Sequence, residues 1–476
     1  MLPSDDAYDA ARRVWNASVD KRPVLIARCS GGVDVMRAVE FAREHDFVVA
    51  VRGGGHSVAG FGTCAGGVVI DLSRMRGISV DLVRRTVRVE GGANWGDVDH
   101  ETQAYGLATT GGMVSTTGVG GLTLGGGIGW LMRKHGLACD NLLSVDMVTA
   151  GGRTLHANAD ENPDLFWCVR GGGGNFGIVT SFEFGLHPVG PAVTAGAMFF
   201  GGDDAGAVMR FYRDWIVEVP NELTTLVSLT TAPAAPFLPE DVHGRPVIVV
   251  AGCFAGERRA AARAFRPLKE LGSSVADLIG PTTYIAMQTF ADSSWGPGAH
   301  NSSESVYLRA LDDDTIANLL SAHERVTSPQ SEVHLHHLGG AIARVPEDET
   351  AVAQREAPLL LNALARWDDA DDSVDHARWA RRLCASVAPA TVGGAPVNFL
   401  GNEGAREVEA AYGEETFDRL VALKSFYDPT NLFRVNHNVP PNPRAARVIE
   451  AAQSNPRREV PAGVPGAGAY EMRGSS

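Results

Sequence analysis

Val49-Ala50-Val51-Arg52-Gly53-Gly54-Gly55-His56-Ser57 reads as a β-branched strand that runs into three glycines and ends on an imidazole. Without Cβ atoms, consecutive glycines let backbone N–H groups approach a bulky anion such as a pyrophosphate. A histidine at the tip can do more than hydrogen-bond, because neutral imidazole is a nucleophile near physiological pH. Taken alone, the segment reads better as a tight turn with a surface histidine. The rest of the chain shifts that balance. Gly111-Gly112, Gly118-Val119-Gly120-Gly121, Gly125-Gly126-Gly127-Ile128-Gly129 and Gly171-Gly172-Gly173-Gly174-Asn175-Phe176-Gly177 follow within one segment. Each glycine inside a regular element costs roughly 0.5–1 kcal/mol, so such clustering implies a backbone passing close to something flat or charged. A large cofactor fits that description.

The chain of 476 residues is long enough for two or three domains, and 44% hydrophobic content is ample for their cores. A balance of 42 Lys+Arg against 56 Asp+Glu gives a net charge of -14 with no basic stripe, which argues against nucleic acid. The six cysteines are scattered, with no Cys-x-x-Cys pair, so zinc and disulfide frameworks are disfavoured and no metal is expected. There is neither a signal-type segment nor an apolar run of membrane-spanning length, and the expectation is a cytoplasmic protein without a membrane partner.

Periodicity predicts an opening helix over 5–19 capped by Ser4, then a βαβ unit over 23–27, 33–44 and 47–51. Strands are expected at 67–72 and 86–90, a helix at 94–105, and mainly strands over 145–184. Near Pro188-Val189-Gly190-Pro191 the glycine clusters stop, and strands mixed with amphipathic helices at 204–217 and 314–326 take over. A domain boundary is placed there. In 332–338, a period of two puts His334 and His336 on one face and His337 on the other. A helical region at 405–426 leads to Tyr427-Asp428-Pro429, and the Pro-, Gly- and Ala-rich tail from 443 is expected to be disordered. No internal repeat is evident.

The first βα turn, Arg28-Cys29-Ser30-Gly31-Gly32, lacks Gly-x-Gly-x-x-Gly, and no glycine cluster is followed by the Lys-Ser/Thr of a Walker loop. A different set of motifs is present in order. Arg52-Gly53-Gly54-Gly55-His56-Ser57, Gly118 to Gly127, Gly136-Leu137-Ala138-Cys139-Asp140-Asn141, Phe166-Trp167 with Arg170 to Gly177, and Tyr427-Asp428-Pro429 with Asn436-His437-Asn438-Val439-Pro440-Pro441 resemble the berberine bridge enzyme-like FAD-linked oxidases. That group belongs to the vanillyl-alcohol oxidase/PCMH flavoprotein superfamily. The resemblance spans residues 20–441.

The resemblance implies an α+β fold. A PCMH-type FAD domain over 1–190 is completed by a C-terminal return over 396–442, with a substrate domain on an antiparallel sheet inserted over 191–395 and the tail at 443–476. It implies FAD bonded covalently through His56. The cofactor-binding set it implies is Arg52, Gly53, Gly54, Gly55, His56, Ser57, Gly60, Gly111, Ser115, Thr116, Gly118, Gly120, Gly121, Gly125, Gly127, Asn141, Gly174, Gly177, Ile178, Val179, Asn436 and Asn438.

Three departures matter. Many relatives carry a second flavin bond from a cysteine where this chain has Val114, so a single link is expected, and Cys139 reads as a small buried residue. A tyrosine common before Asn398 is Pro396 here, which leaves the base open. The terminal Asn-x-Asn pattern holds His437, a titratable group where an amide is usual. Candidate bases are His334, His336, His337, Tyr284 and Tyr307 in the substrate domain, although a strand histidine is more often structural than catalytic.

The expected reaction is oxidation of a C–H bond next to oxygen or nitrogen of a small molecule by hydride transfer to the flavin, with O2 as acceptor. Alcohols, sugars, amines and secondary metabolites all remain open as substrates. The alternatives are an NAD(P)H-dependent flavin reductase on a related fold, against which His56 argues, and a non-catalytic flavin- or ligand-binding protein.

Overall fold

The computed structural model describes residues 1–369 and 373–442, so the expectation for 443–476 lies outside the described residues. Helices and antiparallel sheets are mixed through the chain, an α+β fold.

The first 190 residues build two small sheets and the short antiparallel pair Leu107–Ala108 with His187–Pro188. Leu25–Arg28, Val68–Asp71 and Val49–Arg52 form a parallel three-stranded sheet with Val68–Asp71 in the centre. The helix Gly32–Glu44 buries Val35, Val39 and Ala42 against it. Ile78–Asp81, Thr86–Glu90, Ile178–Gly185, Leu142–Val148 and Thr154–Asn158 form an antiparallel five-stranded sheet in that order. The helix Trp95–Gln103 packs Trp95 and Val98 into the core of the five-stranded sheet, and its start is fixed by Asn94 and Asp97 in a capping box.

The expected opening helix is corrected by the structure: only Tyr8–Ala11 is helical, and Ser4 does not cap it. Tertiary contacts win over local periodicity here. Trp15 N donates to the Gly55 carbonyl at 3.1 Å, and Asn16 Nδ2 reaches the carbonyls of Val58 and Asn301 at 2.7 and 2.9 Å. These bonds hold 12–20 as an extended strap across the glycine loop.

Ala192–Gly201 opens an eight-stranded sheet with the order Ser274–Asp277, Ala192–Gly201, Pro246–Phe254, Leu223–Thr231, Glu332–His337, Leu359–Trp367, His300–Leu308, and Gly280–Thr283 also pairs with Ala192–Gly201. One face is covered by the helices Ala205–Trp215, Asp313–His323 and Ser373–Ser386, which share a core with Val333, Leu335, Leu361 and Ala363. The alternate residues of the strands face the other way, and there the register aligns Ser228, His334, Asn362 and Ser305 in one row across four strands. Asn362 Oδ1 accepts from Ser305 Oγ at 2.8 Å within that row.

The helical region expected at 405–426 is two helices, Ala405–Tyr412 and Glu414–Tyr427, parted at Gly413, whose φ of +74° a side chain would disfavour. Both return to the first unit: Val408, Tyr412, Leu420 and Leu423 share a core with Leu165, Phe166 and Phe182. Arg419 lies over the Trp167 ring at 3.9 Å.

Candidate active site

A cleft with about 1410 Å³ of unfilled space, its open mouth included, runs along the glycine loops. Arg52, Gly53, Gly54, Gly55, His56, Ser57, Gly118, Gly120, Gly121, Gly125, Gly174, Gly177, Ile178, Val179 and Asn436 line it, from the first glycine loop to the C-terminal return. Close backbone approach explains part of the glycine pattern. A Cβ on Gly54 would sit 2.4 Å from the Gly118 nitrogen, so the two loops that form the wall can meet only as glycines. Other glycines leave space instead: a Cβ on Gly121 would meet nothing within 4 Å, and one on Gly174 only Asn436 Nδ2 at 3.9 Å.

Arg52 closes the base of the first loop. Its guanidinium donates to Asp71 Oδ2 at 2.8 Å and to the Ala11 carbonyl at 2.5 Å, and both side chains are buried. Arg52 therefore fixes the loop rather than presenting its charge to a ligand. At the far end, Asn175 binds the return segment, with Nδ2 donating to the His437 carbonyl at 3.1 Å and Oδ1 accepting from Val439 N at 3.0 Å. Asn436 Nδ2 donates to the Gly174 carbonyl at 3.1 Å. Asn436 Oδ1 and Asn438 Oδ1 are buried with no partner among the described residues. Asn436 lines the cleft, where a ring N–H or hydroxyl donor of an elongated cofactor would satisfy its Oδ1, and FAD fits the open, glycine-rich wall of that cleft.

His56 is half-buried in the cleft. Thr116 Oγ1 lies 3.0 Å from its Nε2, and Trp15 stacks on the ring at a centroid distance of 5.6 Å. Burial pushes its pKa down to about 4, against the opposing pull of the Asp292 charge. The ring is therefore neutral at physiological pH. In the tautomer whose Nε2–H donates to Thr116 Oγ1, Nδ1 carries the lone pair for a further partner.

Seven expected cofactor contacts do not line the cleft. Gly60 packs on Val19, Gly111 on Trp95, and Gly127 on Ala138 and Leu122. Asn141 donates to the Leu137 carbonyl and pairs with His187 at 2.6 Å, fixing the turn that follows Gly136. Ser115 binds Asp292, Thr116 faces His56, and Asn438 is not among the cleft-lining residues. Cys139 is buried and its thiol pKa is pushed well up, first by burial and then by the Asp140 charge. Val114 precedes Ser115 in the loop facing His56.

The five candidate bases separate. Tyr284 is packed in the core with Trp130, Leu131 and Met287, its hydroxyl without a partner, and it does not reach the cleft. His337 points to the helix-covered side, 3.3 Å from Thr225 Oγ1. Tyr307 lines a small apolar pocket with Leu360, Phe399, Asn398 and Gly125, the last two of which also line the cleft. His336 is buried against Phe399 at 5.8 Å, and burial pushes its pKa down to about 3. His334 meets Trp295 edge-on at 5.8 Å, and Trp295 stacks on Trp15, which stacks on His56.

Sequence reasoning missed Trp15, Asp292, Trp295 and Glu332. All four come from loops or polar strand positions that become part of the site only when distant segments meet. Trp15 Nε1 donates to the Trp295 carbonyl at 2.8 Å across 280 residues of sequence.

Residues 23–158 match the family described as FAD binding domain, and residues 397–440 the family described as berberine and berberine like. The (R)-6-hydroxynicotine oxidase of Paenarthrobacter nicotinovorans is 32% identical over 452 residues, covering 93% of this chain and 96% of that protein. An uncharacterised FAD-linked oxidoreductase of Bacillus subtilis is 32% identical over 444 residues, 92% and 95% of the two chains. The crystal structure of 6-hydroxy-D-nicotine oxidase from Arthrobacter nicotinovorans superposes with a TM-score of 0.85 at 29% identity, covering 93% of this chain and 97% of that one. Among the described residues, no helix is long and apolar enough to cross a membrane. Similarity that runs through almost the whole of both chains, in sequence and in fold, goes far beyond a shared nucleotide-binding motif: the chain is an oxidoreductase that uses FAD and belongs to the berberine bridge enzyme-like family of FAD-linked oxidases.

Proposed function

We propose that the protein oxidises a C–H bond next to oxygen or nitrogen of a small molecule, with its FAD held covalently by His56 and molecular oxygen as the final acceptor. When bound, FAD supplies the hydride-accepting centre, and the protein positions, polarises and shields. The observation that carries the reading is the placement of His56: it lines the glycine-rich cleft, where burial favours the neutral ring, and Thr116 Oγ1 lies 3.0 Å from Nε2, so that the Nε2–H tautomer presents Nδ1 as the nucleophile.

On the substrate side, the row Ser228, His334, Asn362 and Ser305 supplies polar groups on a sheet face that also carries Glu332, His336 and Arg366, which suits a substrate bearing hydroxyl or amine groups. The pocket lined by Tyr307, Leu360 and Phe399 takes the apolar part. His334 is the base of choice, because Glu332 holds it and its face of the sheet is the polar one. Pro396 removes a phenol from the competing position beside Asn398.

The test is anaerobic mixing with panels of alcohols, amines and sugars, followed by a pulse of air. Bleaching of the yellow flavin by one class and rapid recovery on air supports the oxidase. Bleaching by NAD(P)H alone, or recovery over many minutes, overturns it in favour of a reductase or a dehydrogenase.

A further inference from the structure

The loop that faces His56 is not held by the FAD-binding segment alone. Gly96 N and Trp95 N donate to the Ser115 and Thr117 carbonyls at 2.8 and 3.0 Å, fastening it from the start of the helix Trp95–Gln103. From the other side, Asp292 takes both polar groups of Ser115, with Oδ1 accepting from the backbone N at 2.9 Å and Oδ2 from Oγ at 2.5 Å. Asp292 belongs to the turn after the helix Tyr284–Gln288, and its own N–H donates to the Thr289 carbonyl at 3.1 Å. That helix docks on the first unit through Gln288 Nε2, which donates to Asp99 Oδ2 at 2.8 Å and to the Gly112 carbonyl at 3.1 Å. The residue after Ser115 is Thr116, whose hydroxyl lies 3.0 Å from His56 Nε2.

We propose that Asp292 is a positioning residue for flavin attachment: by clamping Ser115 it fixes Thr116, and through Thr116 the orientation of His56. The proposal rests on the histidyl-flavin reading above. A two-bond carboxylate clamp is a rigid support, and a nucleophile is effective only when its lone pair is held on line. Thr116 is itself exposed, and the bonds from Trp95 and Gly96 hold only the carbonyls on either side of it, so the clamp adds the side-chain anchor next to its hydroxyl. The clamp also ties attachment to docking of the substrate sheet, because Asp292 is contributed by that unit. Attachment then follows assembly of both halves, and a partly folded chain with an open cleft does not fix its cofactor.

The test uses the full-length protein as purified, denatured in acid, with the fraction of flavin retained by the chain as readout. The wild type, Thr116→Val, Asp292→Asn and the double variant are compared, with thermal melting as the folding control. Each single variant is expected to lower the retained fraction by roughly tenfold, and the double variant to fall no further than Thr116→Val alone. Should Asp292→Asn fail to fold, Ser115→Ala removes one of the two bonds and is expected to lower retention in the same direction. Wild-type retention in a folded Asp292→Asn overturns the proposal while leaving the histidyl reading intact, as does a double variant showing the product of two independent losses. Release of flavin by the wild type itself overturns the histidyl reading and the clamp's role with it.

Discussion

His334 Nε2 lies 2.6 Å from Glu332 Oε2, on neighbouring outward positions of one strand. The same carboxylate oxygen accepts from Ser228 Oγ at 2.9 Å, so the acid is anchored before it holds the imidazole. A carboxylate that accepts from Nε2–H fixes the tautomer and leaves Nδ1 as the proton acceptor, the logic of a carboxylate–histidine dyad. His334→Ala is therefore expected to slow flavin reduction by roughly 10²–10⁴-fold. Glu332→Gln, which keeps the shape and loses the charge, should slow it less, by about tenfold. Stopped-flow reduction under nitrogen measures both. Unchanged rates in His334→Ala would move the base to another side chain.

Asp99 gives the interface between the two units a pH dependence. It is buried with Gln288 Nε2 as its partner, and burial raises its pKa to about 7. An acid whose folded pKa is raised favours the folded state below its unfolded value near 4, and that contribution is lost as pH climbs through 7. Asp99→Asn retains an acceptor for Gln288 without the charge. The variant should gain up to about 4 kcal/mol over the wild type at pH 8 relative to pH 4. Chemical denaturation at the two values gives the difference, and parallel pH profiles would refute the assignment.

The Tyr427-Asp428-Pro429 motif has a structural role. Lys424 Nζ, fully buried, donates to Asp428 Oδ2 at 2.7 Å and to the carbonyls of Asn175 and Phe433 at 2.8 and 2.9 Å. Asp428 also accepts from the N–H groups of Leu432 and Phe433. Lys424 thus pins the C-terminal return to the loop at Gly174 through the Asn175 carbonyl, with Asp428 holding its charge in place. Lys424→Met leaves a buried carboxylate without its cation and should cost about 3–5 kcal/mol. It should weaken flavin retention as well, since the Asn175 carbonyl loses its donor. Urea unfolding at neutral pH checks the first effect, and the fraction of flavin kept by the chain after acid denaturation checks the second.

Much of this arrangement could be read from the sequence because its signals are local. Three glycines after a β-branched strand, the helix expected at 94–105 and found as Trp95–Gln103, and the alternation in Glu332–His337 each rest on local signals, and the fold keeps them. The α+β class followed from the order of the motifs. What the sequence hid depends on segments far apart. The strap at Trp15 gave up its helix for contacts with Gly55 and Trp295, an exchange invisible to periodicity. The glycines also divided in a way composition cannot show: Gly121 and Gly174 leave room in the cleft, whereas Gly60, Gly111 and Gly127 let packed chains pass. Glu332 became visible only once its strand showed which side faces the row of polar residues.

The most direct test of the central claim is flavin fluorescence on the protein band after acid denaturation and gel electrophoresis, for the wild type and His56→Ala side by side. A histidyl flavin predicts a fluorescent wild-type band and a dark variant whose flavin, if bound, leaves with the supernatant. A dark wild-type band with free flavin in solution, or a variant band as bright as the wild type, would contradict attachment through His56.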